Sequence, residues 1–272
     1  MLLQSVEKNL VPLQPDLRGR PSYREVLVKW NPYSFKNLAL CYEFRTGGDP
    51  EPLKLIPDAC PDFLFRLENG SVSAAVSGLQ TGPVTLELAP NAVYFGFKPY
   101  SVKGMRRLDA GWSELRGRRG SLRELMDCGS LLEELAATDC FARRAALVSG
   151  FAAVNLADKS YRPDAMEHVE LHLCNRKGNL RMEDVADFTG YSGRYCREKF
   201  KEAAGVSMKR YSDIIRFQNV VRMLEQDPAP SLSDIVFENG YFDQSHLNRE
   251  FKRFSGESPL RFRGRPGDSV PP

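Results

Sequence analysis

The sequence predicts an α+β fold. A β-rich N-terminal region is followed by a helical connector and an all-α C-terminal region built from two helix-turn-helix units. Three observations carry this reading. Between residues 21 and 103, short runs of Val, Leu, Phe and Tyr are broken by Gly, Pro, Asn and Asp about every ten residues, the texture of a barrel or sandwich. Between residues 108 and 161, apolar residues return at helical spacing. Beyond residue 180, one segment is written twice. The expected division is 1–105 for the β-rich region, 106–162 for the connector and 163–265 for the paired helical units. Residues 266–272 are expected to be a disordered tail.

Residues 1–19 are mixed and contain proline, so only partial order is expected there. Strands are expected over 25–30, 38–45, 63–67, 72–76, 84–88 and 93–97. Asn69-Gly70 marks a hairpin, because both residues tolerate the positive φ of a tight type I′ turn. In the connector, Leu122, Leu125, Met126, Leu131, Leu132 and Leu135 suggest apolar helix faces, and 116–120, with three arginines and two glycines, reads as a loop. A helix over 141–156 would use Phe141, Leu147, Val148, Phe151 and Val154 as core. The connector reads either as packing on the β region or, from the family resemblance given below, as a dimer face.

A helix over 164–176 opens the C-terminal region, with Pro163 near its start and Gly178 as its stop. His168 and His172 share a face four residues apart, but no third ligand stands near them, which favours packed or solvated rings over a metal site. A long helix over 206–226 carries a broad apolar stripe and ends sharply at Asp227-Pro228.

The repeat aligns Val185-Ala186 with Ile235-Val236 and Gly190-Tyr191 with Gly240-Tyr241. Cys196 answers to Leu247, Phe200-Lys201 to Phe251-Lys252 and Gly205 to Gly256. The offset is 50 residues before the turn (235 − 185) and 51 after it (251 − 200), so the second turn holds one extra residue. In the first reader helix, Cys196 and Phe200 face inward while Arg194, Arg197 and Lys201 face outward together. Glu198 lies beside them, placed to accept from cytosine or to orient an arginine. In the second, Leu247, Phe251 and Phe254 face inward and Ser245, Asn248, Arg249 and Lys252 face outward, with Gln244 at the helix start. Arg suits guanine, Asn and Gln suit adenine, and Lys suits phosphate. A charged helix face is by itself usually just solvated; the repetition is what points to DNA. The same helices could alternatively form a protein-interaction module.

Bulk charge offers no such hint. The whole chain carries +3, and residues 163–272 hold 17 Lys+Arg against 17 Asp+Glu, a net of 17 − 17 = 0. Any interface must therefore rest on where charges sit. The six cysteines stand singly, without a CxxC pair, and the first ten residues lack a signal-peptide pattern, so free thiols in a reducing cytoplasm are expected. No run approaches a membrane span. No nucleophilic triad, phosphate-binding glycine loop or metal cluster is present, and neither cofactor nor enzyme activity is expected.

Residues 180–263, and above all the run SHLNREFKRFSGESPLRFR, resemble the DNA-binding domain of the AraC/XylS family of transcription regulators. The resemblance implies double-stranded DNA as partner, and it matches Gln244, Ser245 and Arg249 to base-contacting positions. It also implies RNA polymerase as a further partner, a small-molecule effector and a homodimer as options. Met208 departs from the pattern, which often has proline there, as at Pro259. The segments IPDACPDFLFRL, GLQTGP and GFKP are similar to the N-terminal sensor region of one subgroup, implying a β-rich domain for which a cupin-like form is one option. All three histidines (His168, His172, His246) follow that region, so a histidine-held metal is not expected in it. Some relatives attach this domain to cysteine-based DNA alkyl-group repair; Cys41 and Cys60 are the candidates for that role or for a redox sensor.

Overall fold

The computed structural model describes residues 12–20, 22–106, 108, 112, 114–226 and 228–264. The expected tail at 266–272 and residues 1–11 lie outside that set. A short helix α1 (Pro15–Arg18) precedes the strands β1 (Arg24–Lys29), β2 (Leu38–Arg45), β3 (Glu51–Leu55), β4 (Asp62–Glu68), β5 (Ser71–Ser77), β6 (Val84–Leu88), β7 (Val93–Pro99) and β8 (Arg119–Ser121). Six of them form an antiparallel sheet in the order β1-β2-β7-β4-β5-β8, and β3 pairs with β6 in a two-stranded sheet. The Asn69-Gly70 hairpin is present, with φ of 50° and 72° at its two central residues.

Strand alternation sorts the side chains into two layers. Leu40, Tyr42 and Phe44 of β2 meet Leu53, Leu55 and Leu88 of the small sheet. Ala39 and Cys41 on the same strand join Phe63, Phe65, Phe95 and Phe97 on the opposite face. The two sheets therefore pack as an open sandwich, not a closed barrel. Gly96 is required where it stands, because a Cβ there would lie 2.0 Å from the Tyr42 ring.

The second face of the large sheet is covered by α2 (Leu122–Leu125), α3 (Gly129–Ala136) and α4 (Phe141–Asn155). Leu131, Leu132, Leu135, Val148 and Ala152 are buried in that core. Three expectations need correction. Residues 119 and 120 of the expected loop belong to β8, which pairs with β5. Strand β3 was hidden by Pro52, which is tolerated because β3 has a partner on one side only. Val154 is 62% exposed and outside the core, while α4 buries Arg144 through a 2.7 Å ion pair with the equally buried Glu43 of β2. Within the stretch expected to be partly ordered, Gln14 donates to Ile56 O at 2.7 Å and to Asp58 at 2.8 Å.

The C-terminal helices are α5 (Ala165–Asn175), α6 (Met182–Thr189), α7 (Gly193–Ala204), α8 (Met208–Leu224), α9 (Leu232–Glu238), α10 (Gln244–Ser255) and α11 (Pro259–Arg263). Helix α8 starts at Met208 because Ser207 caps it, its hydroxyl accepting from Arg210 N at 3.2 Å. Its 17 residues span about 26 Å, shorter than the sequence reading. It is the spine of the region. Tyr211 meets Phe200 of α7 at 5.3 Å between ring centroids, and Phe217 meets both Phe251 and Phe254 of α10 at 5.1 Å.

Candidate nucleic-acid interface

Each reader helix is fixed by the same local devices. Helix α7 is capped by Ser192, which accepts from Tyr195 N, and α10 by Asp243, which accepts from His246 N. Both end at a left-handed glycine, Gly205 or Gly256. Cys196 and Phe200 on α7, and Leu247, Phe251 and Phe254 on α10, are fully buried. Since helix faces repeat every 3.6 residues, burying these rows forces the intervening residues outward.

The outward faces are those expected. Arg194, Arg197 and Lys201 are exposed on α7; Gln244, Ser245, Arg249 and Lys252 are exposed on α10, and Asn248 is half-buried. Arg194 is held by Glu198, with Nε donating to Oε1 at 3.1 Å. This favours the orienting role for Glu198 and leaves the terminal guanidinium nitrogens free to point elsewhere. Arg197, Lys201, Arg249 and Lys252 have no ion pair among the described residues.

Three arginines off the reader faces, Arg216, Arg253 and Arg263, are engaged within the protein. Arg216 donates to Glu250 at 3.1 Å and to Asp213 at 2.9 Å. Arg253 donates to Asp213 at 3.2 Å, and Arg263 to the Pro230 carbonyl at 2.6 Å. Glu250 also accepts from the Tyr241 hydroxyl at 2.8 Å. This cluster locks α10 against α8 and the turn before it.

The first unit is built more loosely. Tyr191, the counterpart of Tyr241, is 48% exposed and meets the Tyr195 ring at a tilt, 4.8 Å between centroids. The cap position before α6 is Arg181, which has no side-chain oxygen to cap it; only the return bond forms, from Arg181 N to Asp184 at 3.3 Å. The paired histidines pack on aromatic rings, His168 against Phe35 at 4.9 Å and His172 against Phe188 at 4.6 Å. Among the described residues no group of three or more His, Cys, Asp or Glu side chains is placed to hold a metal. Cys41 and Cys60 are buried. Burial pushes the Cys41 thiol up to about 12 and raises Cys60 well above the ordinary range, the reverse of what a reactive thiolate needs. Among the described residues no helix is long and apolar enough to cross a membrane.

Sequence reasoning missed how these helices attach to the rest of the chain. Lys36, in the turn before β2, reaches Glu170 of α5 at 2.7 Å and the Tyr211 hydroxyl of α8 at 3.2 Å. Tyr211 and Ser101 donate to the same carboxylate at 2.8 and 3.1 Å. Ser34 and Tyr161 donate to Glu167 at 2.5 and 3.0 Å. Gln218 of α8 accepts from Leu13 N at 2.9 Å and donates to Pro57 O at 2.7 Å. Arg210 donates to the Thr81 carbonyl.

A pair of capped helix-turn-helix units joined by a buried spine is the geometry of a duplex-reading module. Residues 185–265 match the family described as "Helix-turn-helix domain". Similar curated proteins include an uncharacterised HTH-type transcriptional regulator of Staphylococcus aureus, 24% identical over 98 residues, which are 36% of this chain and 13% of that protein. Another is the uncharacterised HTH-type transcriptional regulator YbfI of Bacillus subtilis, 31% identical over 69 residues, or 25% of this chain and 24% of that one. The chain thus spans only a small part of these relatives' length. Solved structures similar to it include apo ToxT of Vibrio cholerae, at 15% identity and TM-score 0.46, covering 86% of this chain and 98% of that one. ToxT with a bound unsaturated fatty acid is a second, at 12% identity and TM-score 0.42, covering 90% and 95%.

Proposed function

We propose that this chain is a sequence-specific DNA-binding transcription regulator of the cytoplasm. Helices α7 and α10 enter adjacent major grooves. Arg194, Arg197, Gln244, Ser245, Asn248 and Arg249 face the bases, while Lys201 and Lys252 face phosphate. The observation that carries this reading is the sorting of charge: four cations on the two reader faces are unpaired among the described residues, while Arg216, Arg253 and Arg263 are tied into the protein. The β-rich region, taken as residues 1–105, adjusts DNA affinity through its contacts with α5 and α8, as a population shift between conformers. A small-molecule effector, RNA polymerase and a second copy of the chain, through the connector at 106–162, are the further partners of this proposal.

The test is fluorescence anisotropy on the duplex beside the protein's own gene, at two salt concentrations. Specific binding should fall steeply with salt. Arg197→Ala and Arg249→Ala should each weaken it by about 1–3 kcal/mol. Binding that ignores both substitutions would defeat the assigned faces. Loss with Arg249→Ala alone would mean that only α10 reads sequence.

A further inference from the structure

The two helix-turn-helix units differ by one residue, and the structure shows which one. Ser192 caps α7 two residues after Gly190, whereas Asp243 caps α10 three residues after Gly240. The added residue is Phe242. Its neighbour Tyr241 is 6% exposed and bonded to Glu250, but Phe242 is 90% exposed. No aromatic or cation contact engages its ring among the described residues. Its backbone makes one long bond among the described residues, Phe242 N to His246 Nδ1 at 3.5 Å.

Phe242 opens an exposed run that continues through Asp243, Gln244 and Ser245. This is the N-terminal end of a reader helix, the end that meets base edges in a helix-turn-helix complex. The equivalent turn of the first unit carries Tyr191, the counterpart of Tyr241, and the cap Ser192, with no counterpart of Phe242. An aromatic ring left in water contributes no burial to the fold, so its place is not explained by packing. In the major groove the apolar feature of base edges is the C5 methyl of thymine; the other groups are hydrogen-bond donors and acceptors. The surface is continuous with Gln244 and Ser245, so the ring is carried to the groove floor whenever α10 docks.

We infer that Phe242 is a specificity-determining residue that packs against a thymine methyl beside the bases read by Gln244 and Ser245. The inference rests on the DNA-binding reading above. Phe237 is the natural control. It is 88% exposed but lies on α9, the helix that crosses the backbone instead of entering the groove.

The experiment uses the full chain. Binding sites are first selected from a random duplex pool with the wild type. Each thymine in the half under α10 is then replaced by deoxyuridine, which removes only the methyl, and affinities are measured for wild type, Phe242→Ala and Phe237→Ala. One replacement should weaken wild-type binding by about fourfold, the equivalent of ~0.8 kcal/mol per buried methyl. It should leave Phe242→Ala unaffected and cost Phe237→Ala as much as wild type. Phe242→Leu should retain part of the sensitivity. The inference is overturned if no thymine is methyl-sensitive, or if the sensitivity survives in Phe242→Ala. It falls together with the DNA-binding reading if the wild type selects no sequence at all. Matching thermal unfolding of the variants shows that the exposed ring was removed without disturbing the fold.

Discussion

A cation on a reader face can act in two ways, and the difference is measurable. Arginine presents a planar fork that fits the two acceptors of guanine, whereas lysine is a mobile point charge suited to phosphate. Arg249 and Lys252 sit one turn apart on the exposed side of α10, both unpaired among the described residues. Lys252→Ala should therefore weaken binding about equally for every sequence and reduce the salt slope by about 1. Arg249→Ala should relax preference at one base pair. A salt titration with matched and mismatched duplexes distinguishes them; a Lys252→Ala variant that changes sequence preference would reassign the lysine to base reading. On α7 the same reasoning gives Glu198 an indirect role. The 3.1 Å bond to Arg194 Nε restrains a side chain that is otherwise free in water, so Glu198→Gln should broaden preference under that helix.

The elements that were legible in the sequence are those specified by local rules. Glycine stops, side-chain caps and 3.6-residue burial act within a few residues, and writing them twice made Cys196, Phe200, Leu247 and Phe251 readable as an inward row. Strand β3 escaped because its pairing with β6 lies far along the chain and Pro52 argues locally against it. Val154 was misread because an apolar residue late in α4 fits a helical stripe, yet the stripe turns away from the sheet before reaching it. Asn239 was missed for a related reason: nothing local marks it as structural. It is fully buried and ends α9. Its side chain donates to Ile235 O at 2.8 Å and accepts from Asn219 of α8 at 2.5 Å, while its carbonyl accepts from Asn179 at 3.0 Å. Asn239→Ala leaves the Asn219 amide buried without that partner and should cost about 1–3 kcal/mol in chemical denaturation. Amide exchange should quicken first in α9. An unchanged unfolding midpoint would mean that α8 and α10 alone hold the second unit.

At the scale of the whole molecule, the β-rich region and the C-terminal helices meet through buried charge. Lys36 and Glu170 lie 134 residues apart in sequence, which is why no sequence pattern links them. Burial alone would pull the Glu170 carboxyl up; the ammonium groups of Lys36 and Lys103, with hydrogen bonds from Lys36 and Tyr211, outweigh it and hold the group below its usual range. Burial also works against the charged form of Lys36, but the facing Cys174 and Glu170 raise it above the ordinary lysine value. A depressed carboxyl contributes stability above its unfolded value of about 4.3, lost as pH falls through the lower folded value. A raised ammonium contributes below about 10.4 and loses that only in stronger alkali. The contact is therefore fully charged across neutral pH and weakens in acid. Lys36→Met would strand Glu170 with only hydroxyl partners and the more distant Lys103, and should destabilise the protein by about 3–5 kcal/mol. Adding Glu170→Gln to that variant should restore much of the loss, because the buried charge itself is then gone. Denaturation of the four proteins of this cycle at pH 7, repeated below pH 4, decides the matter. A coupling energy at pH 7 that shrinks in acid places the charge pair at the joint between the two regions. Additive losses at both pH values would mean that the apolar packing around Tyr211 holds them together and that the ion pair is incidental.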